Sequence, residues 1–275
     1  MTLCMEVSAA LYFLERLPDS RAATSLEKIV GLIEGISLRG RDGIKWGSAF
    51  PVFENQRTGL KSYNLGLSHG IPSIIRILVY IYQAGICLSI CRELIEGSIH
   101  WMLNQKLEKN SPSRYPTAII QGIEPLASRT AWCYGDAGIA STLFFAGKAL
   151  NRHDWESEGI CLMLEVAGRR DPAVTHVKDS GICHGAAGMA HFFHVFNEFA
   201  HCKQFKEAEA FWEDQILIFG SREEGLAGYK KWQPESLGGP KNVSGLLEGI
   251  AGIALVLDEY TTDMNTCWDR CLLIQ

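Results

Sequence analysis

The chain has no uninterrupted apolar run of the length that a membrane span demands, about 20 residues. Its most apolar stretch, Ile71 to Ile95, is broken by Arg76, Gln83, Gly85, Arg92 and Glu93, so it reads as buried helices. An export signal is lacking as well: Glu6 and Glu15 interrupt the first twenty residues, and no basic start precedes an apolar core. Basic blocks are missing. Net charge is −5, with both signs spread along 275 residues, and no RNA-binding or Cys2His2 spacing occurs, which argues against nucleic acid. Strand alternation is scarce, with Gly43–Trp46 and Ala118–Ile120 at most short ribbons. The nine cysteines are an odd number, in a chain too large to need disulfide staples. Reduced thiols in the cytoplasm follow as the default.

What the chain does have is an apolar fraction of 47%, ordinary for a globular protein with a sizeable core, and an internal repeat. Residues 66–73, 131–138, 181–188 and 245–252 align, anchored on Gly70, Gly135, Gly185 and Gly249. A second glycine follows three residues later in every copy but the first, which has Ser73. After each anchor the apolar positions take helical spacing: Ile71, Ile74, Ile75 and Leu78; Met189, Phe192, Phe193 and Phe196; Ile253, Val256, Leu257 and Tyr260. A second helix is marked by Leu88, Cys91, Ile95, Ile99 and Met102, and another by Phe205, Ala208, Trp212, Ile216 and Phe219.

The repeating element is therefore a helical hairpin, and the fold expected is all-α. The chain reads as one domain over residues 1–275, with units at 66–106, 131–167, 181–219 and 245–275. Such hairpins either stack into an open solenoid or close into a ring. Closure would let inner helices converge and equivalent positions of different copies meet. Polar Gly/Pro-bearing stretches at Ser37–Asn64, Glu108–Arg129, Gly168–Ser180 and Ser221–Ser244 each end just before a copy and should rim one face. Residues 1–36 read as one or two helices without a motif, and Asn265–Gln275 as a helix that stops early.

Two copies carry chemistry. Cys133 and Cys183 each stand two residues before the anchoring glycine, and His184 follows Cys183. Two thiols and one imidazole make a catalytic zinc set, with three protein ligands and a fourth position left for water or substrate. The i, i+4 pairs Cys87/Cys91 and Cys267/Cys271 have no completing ligand nearby and read as core. Glu248 of the fourth copy, and His176, His191, His194 and His201, read as structural.

The block Arg129–Gly138, with its Trp132-Cys133-Tyr134-Gly135 core, the Cys183-His184-Gly185 run through Gly188 and the final Leu247–Gly252 copy closely resemble lanthionine synthetase C-like proteins, the lantibiotic cyclases and their eukaryotic relatives. The likeness spans residues 60–260. It implies an α/α toroid, usually of seven hairpins around a central Zn2+, against which this chain is short at its N-terminal end and its ring incomplete. By resemblance the zinc ligands are Cys133, Cys183 and His184, His69 matches a catalytic histidine, and Arg129, Trp132 and Tyr134 surround the metal. The family also implies an active-site aspartate upstream of the His69 copy, and neither Asp42 nor Asp136 is assigned to it.

The activity implied is closure of thioether rings in a dehydrated peptide, by adding a cysteine thiol across dehydroalanine or dehydrobutyrine. A dehydratase is the implied partner. Only the thiolate attacks well, and a free thiol is mostly protonated at neutral pH; zinc corrects this by taking the substrate sulfur in its open position. His69 is the natural proton carrier, Arg129 can stabilise enolate charge, and Trp132 and Tyr134 wall the pocket. Addition of a small thiol such as glutathione, and a non-catalytic toroid that binds a peptide or partner, are the other two readings. A sugar-active barrel would need paired carboxylates, and none sits at equivalent positions.

Overall fold

In the computed structural model the described residues are 3–48, 60–220, 223–262 and 267–274, with backbone alone for residues 3–7 and 267. Their elements in order are α1 (Leu3–Leu14), α2 (Ser20–Gly35), β1 (Leu38–Gly40), β2 (Gly43–Lys45), β3 (Ser62–Asn64), α3 (Ile71–Gln83), α4 (Leu88–Leu103), β4 (Ala118–Ile120), α5 (Asp136–Leu150), α6 (His153–Ala167), α7 (Pro172–Thr175), α8 (Ala186–Ala200), α9 (Lys203–Phe219) and α10 (Ile250–Glu259). A 3-10 turn at Cys267–Leu272 follows. The ribbons are short, as expected: β1 pairs with β2 and β3 with β4, both antiparallel.

Each anchoring glycine of the repeat caps a helix. Gly70, Gly135, Gly185 and Gly249 are the N-caps of α3, α5, α8 and α10. Three of them are extended. Gly135 alone has φ of 120°, a region that residues with a side chain rarely adopt.

Helices α3, α5 and α8 are buried almost all the way round, the mark of helices inside a larger assembly. Helices α2, α4, α6 and α9 bury one face each. The chain thus forms an inner layer (α1, α3, α5, α8, α10) and an outer one (α2, α4, α6, α9), with each hairpin contributing one helix to each. Neighbouring inner helices pack in sequence. The Phe144 ring of α5 lies 5.3 Å from that of Phe196 in α8, bridging the third and fourth hairpins. Four hairpins and a fifth inner helix are present among the described residues.

The region 71–95 that looked most apolar is the α3–α4 hairpin, and Arg76, which breaks the run, is 1% exposed. No described helix is long and apolar enough to cross a membrane. The stretch 1–36, read as one or two helices, holds two, α1 and α2, among its described residues. At the other end the short helix expected over Asn265–Gln275 is, among the described residues, the 3-10 turn; Asn265, Thr266 and Gln275 lie outside them. Cys91 packs in the core, with Cys87 half-buried. Cys271, by contrast, is exposed, because the turn shows the core Leu272 and Leu273 instead; the Cys267 side chain lies outside the described residues.

Candidate metal centre

The residue two before each anchoring glycine is Ser68, Cys133, Cys183 and Leu247. Backbone hydrogen bonds string these four together. The Ser68 amide donates to the Cys133 carbonyl at 3.4 Å, Cys133 to Cys183 at 3.2 Å, and Cys183 to Leu247 at 2.7 Å. The Ser68 hydroxyl also donates to the Cys133 carbonyl at 3.2 Å. Copies far apart in sequence therefore touch at equivalent points, and side chains from the second and third copies become neighbours.

The result is a donor cluster. One ligand atom from each of Cys133, Cys183 and His184 lies within 4.8 Å of the others. A tetrahedral zinc bound about 2.3 Å from sulfur and about 2.0 Å from nitrogen holds its ligand atoms roughly 3.5–4 Å apart, so the trio fits such an ion with slight contraction. Among the described residues no other group of three His, Cys, Asp or Glu comes this close. Cys133 is buried, whereas Cys183 and His184 are half-buried, so the cluster is approached from their side.

The three donors perturb one another's proton affinity. The hydrogen bond from Cys183 lowers the pKa of the Cys133 thiol, and the Arg129 guanidinium helps against the opposing effect of burial. Cys183 moves the other way: its contact with Cys133 and its burial raise its pKa, partly offset by His184. The two thiols thus move apart in proton affinity, Cys133 toward the thiolate and Cys183 toward the protonated thiol. Contact with Cys183 raises the His184 pKa despite burial, with Asp179 adding to the rise and Arg129 opposing it.

The remaining residues expected at the site are spread around this trio. His69 is exposed, beside the Ser68 that bonds Cys133. Arg129 is exposed too, and its charge reaches both Cys133 and His184. Tyr134 is half-buried; its hydroxyl accepts from Asn64 Nδ2 at 3.4 Å, and its ring lies so close to Gly66 that a methyl there would collide with it. Trp132 is 7% exposed, with its indole N–H turned into the protein to meet the Leu272 carbonyl at 2.8 Å.

Two supporting residues escaped the sequence reading. Asp179, 5% exposed, accepts from the Gly181 amide at 3.0 Å and the Trp232 amide at 2.8 Å, pinning the Cys183–His184 loop. Asn64 does the same in the first copy, accepting from the Gly66 amide at 2.7 Å. The signal available was an Asn or Asp two residues before the first residue of a copy, a common side-chain-to-backbone turn. Neither unassigned aspartate joins the cluster. Asp136 is buried and accepts from the amides of Arg114 and Tyr115 at 2.7 and 2.9 Å, with Arg169 at 2.6 Å. Asp42 pairs with Lys45.

The chain matches the family model for "lanthionine synthetase C-like protein" over residues 8–273. The chain belongs to this family. The nisin biosynthesis protein NisC of Lactococcus lactis subsp. lactis is 25% identical over 230 residues, covering 80% of this chain and 50% of that protein. The structure of a nisin cyclase superposes with a TM-score of 0.72 at 21% identity, over 97% of this chain and 64% of the other. The fold is therefore the α/α toroid of that structure, and the chain spans about half the length of the curated relative it matches.

Proposed function

We infer that this family member is a zinc-dependent cyclase that closes thioether rings in a dehydrated peptide. The carrying observation is the cluster of Cys133, Cys183 and His184 donor atoms within 4.8 Å. Bound there, zinc supplies the positive charge that keeps an incoming cysteine sulfur deprotonated at neutral pH. The reaction forms one bond between that sulfur and the β-carbon of dehydroalanine or dehydrobutyrine. The thiol proton leaves, and the α-carbon gains a proton as the enolate collapses, so the peptide's mass is unchanged.

The chain's own residues divide this work. Cys133 and Cys183 provide thiolate charge and His184 a nitrogen donor. His69, in the exposed loop against Cys133, carries the proton between sulfur and α-carbon. Arg129, whose field reaches the trio, stabilises the enolate oxygen, while Trp132 and Tyr134 border the site. The substrate is a peptide that a dehydratase has prepared, and the free thiols suit the cytoplasm.

A peptide bearing one dehydroalanine and one cysteine tests the reading. Incubation with the zinc-loaded chain should abolish labelling of the peptide thiol by N-ethylmaleimide without changing its mass. A thiol that stays fully reactive at stoichiometric enzyme sinks the cyclase reading.

A further inference from the structure

Away from the metal trio, buried polar groups converge on one short segment. Residues 268–274 run across the inner layer and meet donors from several of its parts. The Trp132 indole N–H donates to the Leu272 carbonyl at 2.8 Å, Arg76 Nε of α3 to Leu273 at 3.1 Å, and the Ser141 hydroxyl of α5 to Ile274 at 2.6 Å. All three acceptor residues are nearly inaccessible, at 3% exposure or less. The segment's other end is tied to α8 and α10. Asp269 lies 3.0 Å from His191 Nε2, and the Trp268 indole donates to Glu259 at 2.8 Å.

Among these donors Trp132 has a particular place, because the next residue is Cys133. The indole hydrogen bond fixes the ring, and the ring fixes the backbone from which Cys133 departs. Cys133 is held on its other side by the amide and carbonyl bonds of the inter-copy ladder. A ligand held from two sides keeps its sulfur in place; one held from a single side can swing. Partners that orient metal ligands in this way are ordinarily needed for full affinity.

We propose that the Leu272 carbonyl makes Trp132 a positioning residue for Cys133, so that the segment 268–274 sets the geometry of the metal trio. This rests on the metal reading above. Leu272 is 140 positions from Trp132, so the contact gives a distant part of the chain control over the site. Trp132 is then not a wall of the pocket only, but the link between the site and the segment 268–274.

Co2+ is the probe, titrated into the full chain after metal removal. Its sulfur-to-metal charge-transfer absorption reports affinity, and its visible ligand-field bands report geometry. Trp132→Phe keeps an aromatic ring but removes the N–H donor together with part of the indole's volume, a packing loss that the Leu94→Ala baseline accounts for. It should weaken Co2+ binding about 10- to 100-fold and shift the visible bands. Ser141→Ala, which loosens the same segment two residues on, should move both readouts less but in the same direction. Leu94→Ala in outer helix α4 supplies the baseline, lowering the melting temperature with affinity and spectrum unchanged. A Trp132→Phe chain that binds Co2+ like the wild type overturns the positioning role alone. So does a Leu94→Ala chain that loses as much affinity at an equal melting loss. A wild type that takes up no Co2+ overturns the metal reading itself, and the positioning role with it.

Discussion

The Cys133 amide donates to the Cys183 carbonyl at 3.2 Å, and this one bond turns a repeated sequence into a site. Each copy of the repeat hands its third residue to the next, so two thiols 50 residues apart stand together without any local motif joining them. The ladder needs close approach. At Gly66 an added methyl would collide with the Cys133 carbonyl and the Tyr134 ring, which explains glycine there better than any demand of its backbone. The third rung, from Cys183 to Leu247, brings the fourth copy, which carries neither Cys nor His, into the same stack.

Loss of a ligand should empty the centre. In Cys183→Ala, zinc content should fall from about one ion per chain to near none, because two remaining ligands bind far more weakly than three. Ring closure should drop at least about 100-fold, a larger effect than loss of a mere supporting partner. Elemental analysis of protein purified without added metal, beside the thiol-labelling assay, checks both. Full zinc in the variant would remove Cys183 from the ligand set.

His69 is expected to separate binding from chemistry. His69→Ala should keep its zinc and lose about 100- to 10,000-fold in kcat, the range for a missing general acid–base group. Metal content and single-turnover cyclisation on the same preparation decide it. A His69→Ala chain with normal turnover would leave the exposed imidazole without a role in proton transfer.

Asp179 should matter for stability and for the site together. Asp179→Ala leaves the Gly181 and Trp232 amides without their carboxylate partner, which costs about 2–4 kcal/mol when the groups stay buried. It also releases the loop that carries Cys183 and His184. Urea unfolding should show the loss, and zinc affinity should fall with it. Asp179→Asn keeps one acceptor oxygen and should recover part of both.

Much of this was legible from spacing. The glycine anchors located the starts of α3, α5, α8 and α10, since a helix N-cap in tight quarters favours glycine, and the apolar positions after them gave the buried faces. Helix α6 was less visible. Gly159 sits in its middle, at a cost of about 1 kcal/mol in helix propensity relative to alanine, because a methyl there would strike Phe144 and the Ala140 carbonyl of α5. The candidate donors were legible because a soft metal-binding set is restricted to few residue types, and Cys133, Cys183 and His184 stand at equivalent points of two copies. Asp179, and the orientation of Trp132 toward Leu272, were not. Hydrogen bonds between a side chain and a distant carbonyl leave no periodic trace, since almost any residue supplies the carbonyl.

His191, which the sequence offered only as a structural histidine, should govern how stability changes with pH. It is 1% exposed, 3.0 Å from Asp269 and 2.8 Å from Glu259. Burial alone would lower its pKa, but the two carboxylates outweigh that and raise it to about 9, from an ordinary 6.5. Its charged form is thus bound more tightly in the folded chain. Below about pH 6.5 the imidazole is protonated in both states and its contribution is complete; as pH rises through about 9 the folded state gives up its proton and the contribution disappears. Stability should fall across that window by on the order of 2–3 kcal/mol on this account. Cys133, with its lowered pKa, pulls in the opposite direction, so the difference between wild type and His191→Gln isolates the histidine. Urea unfolding at about pH 6.5 and about pH 9.5 should find the two chains furthest apart at the lower value and converging at the higher. A constant gap between them would mean that His191 does not change charge in the folded chain over this range.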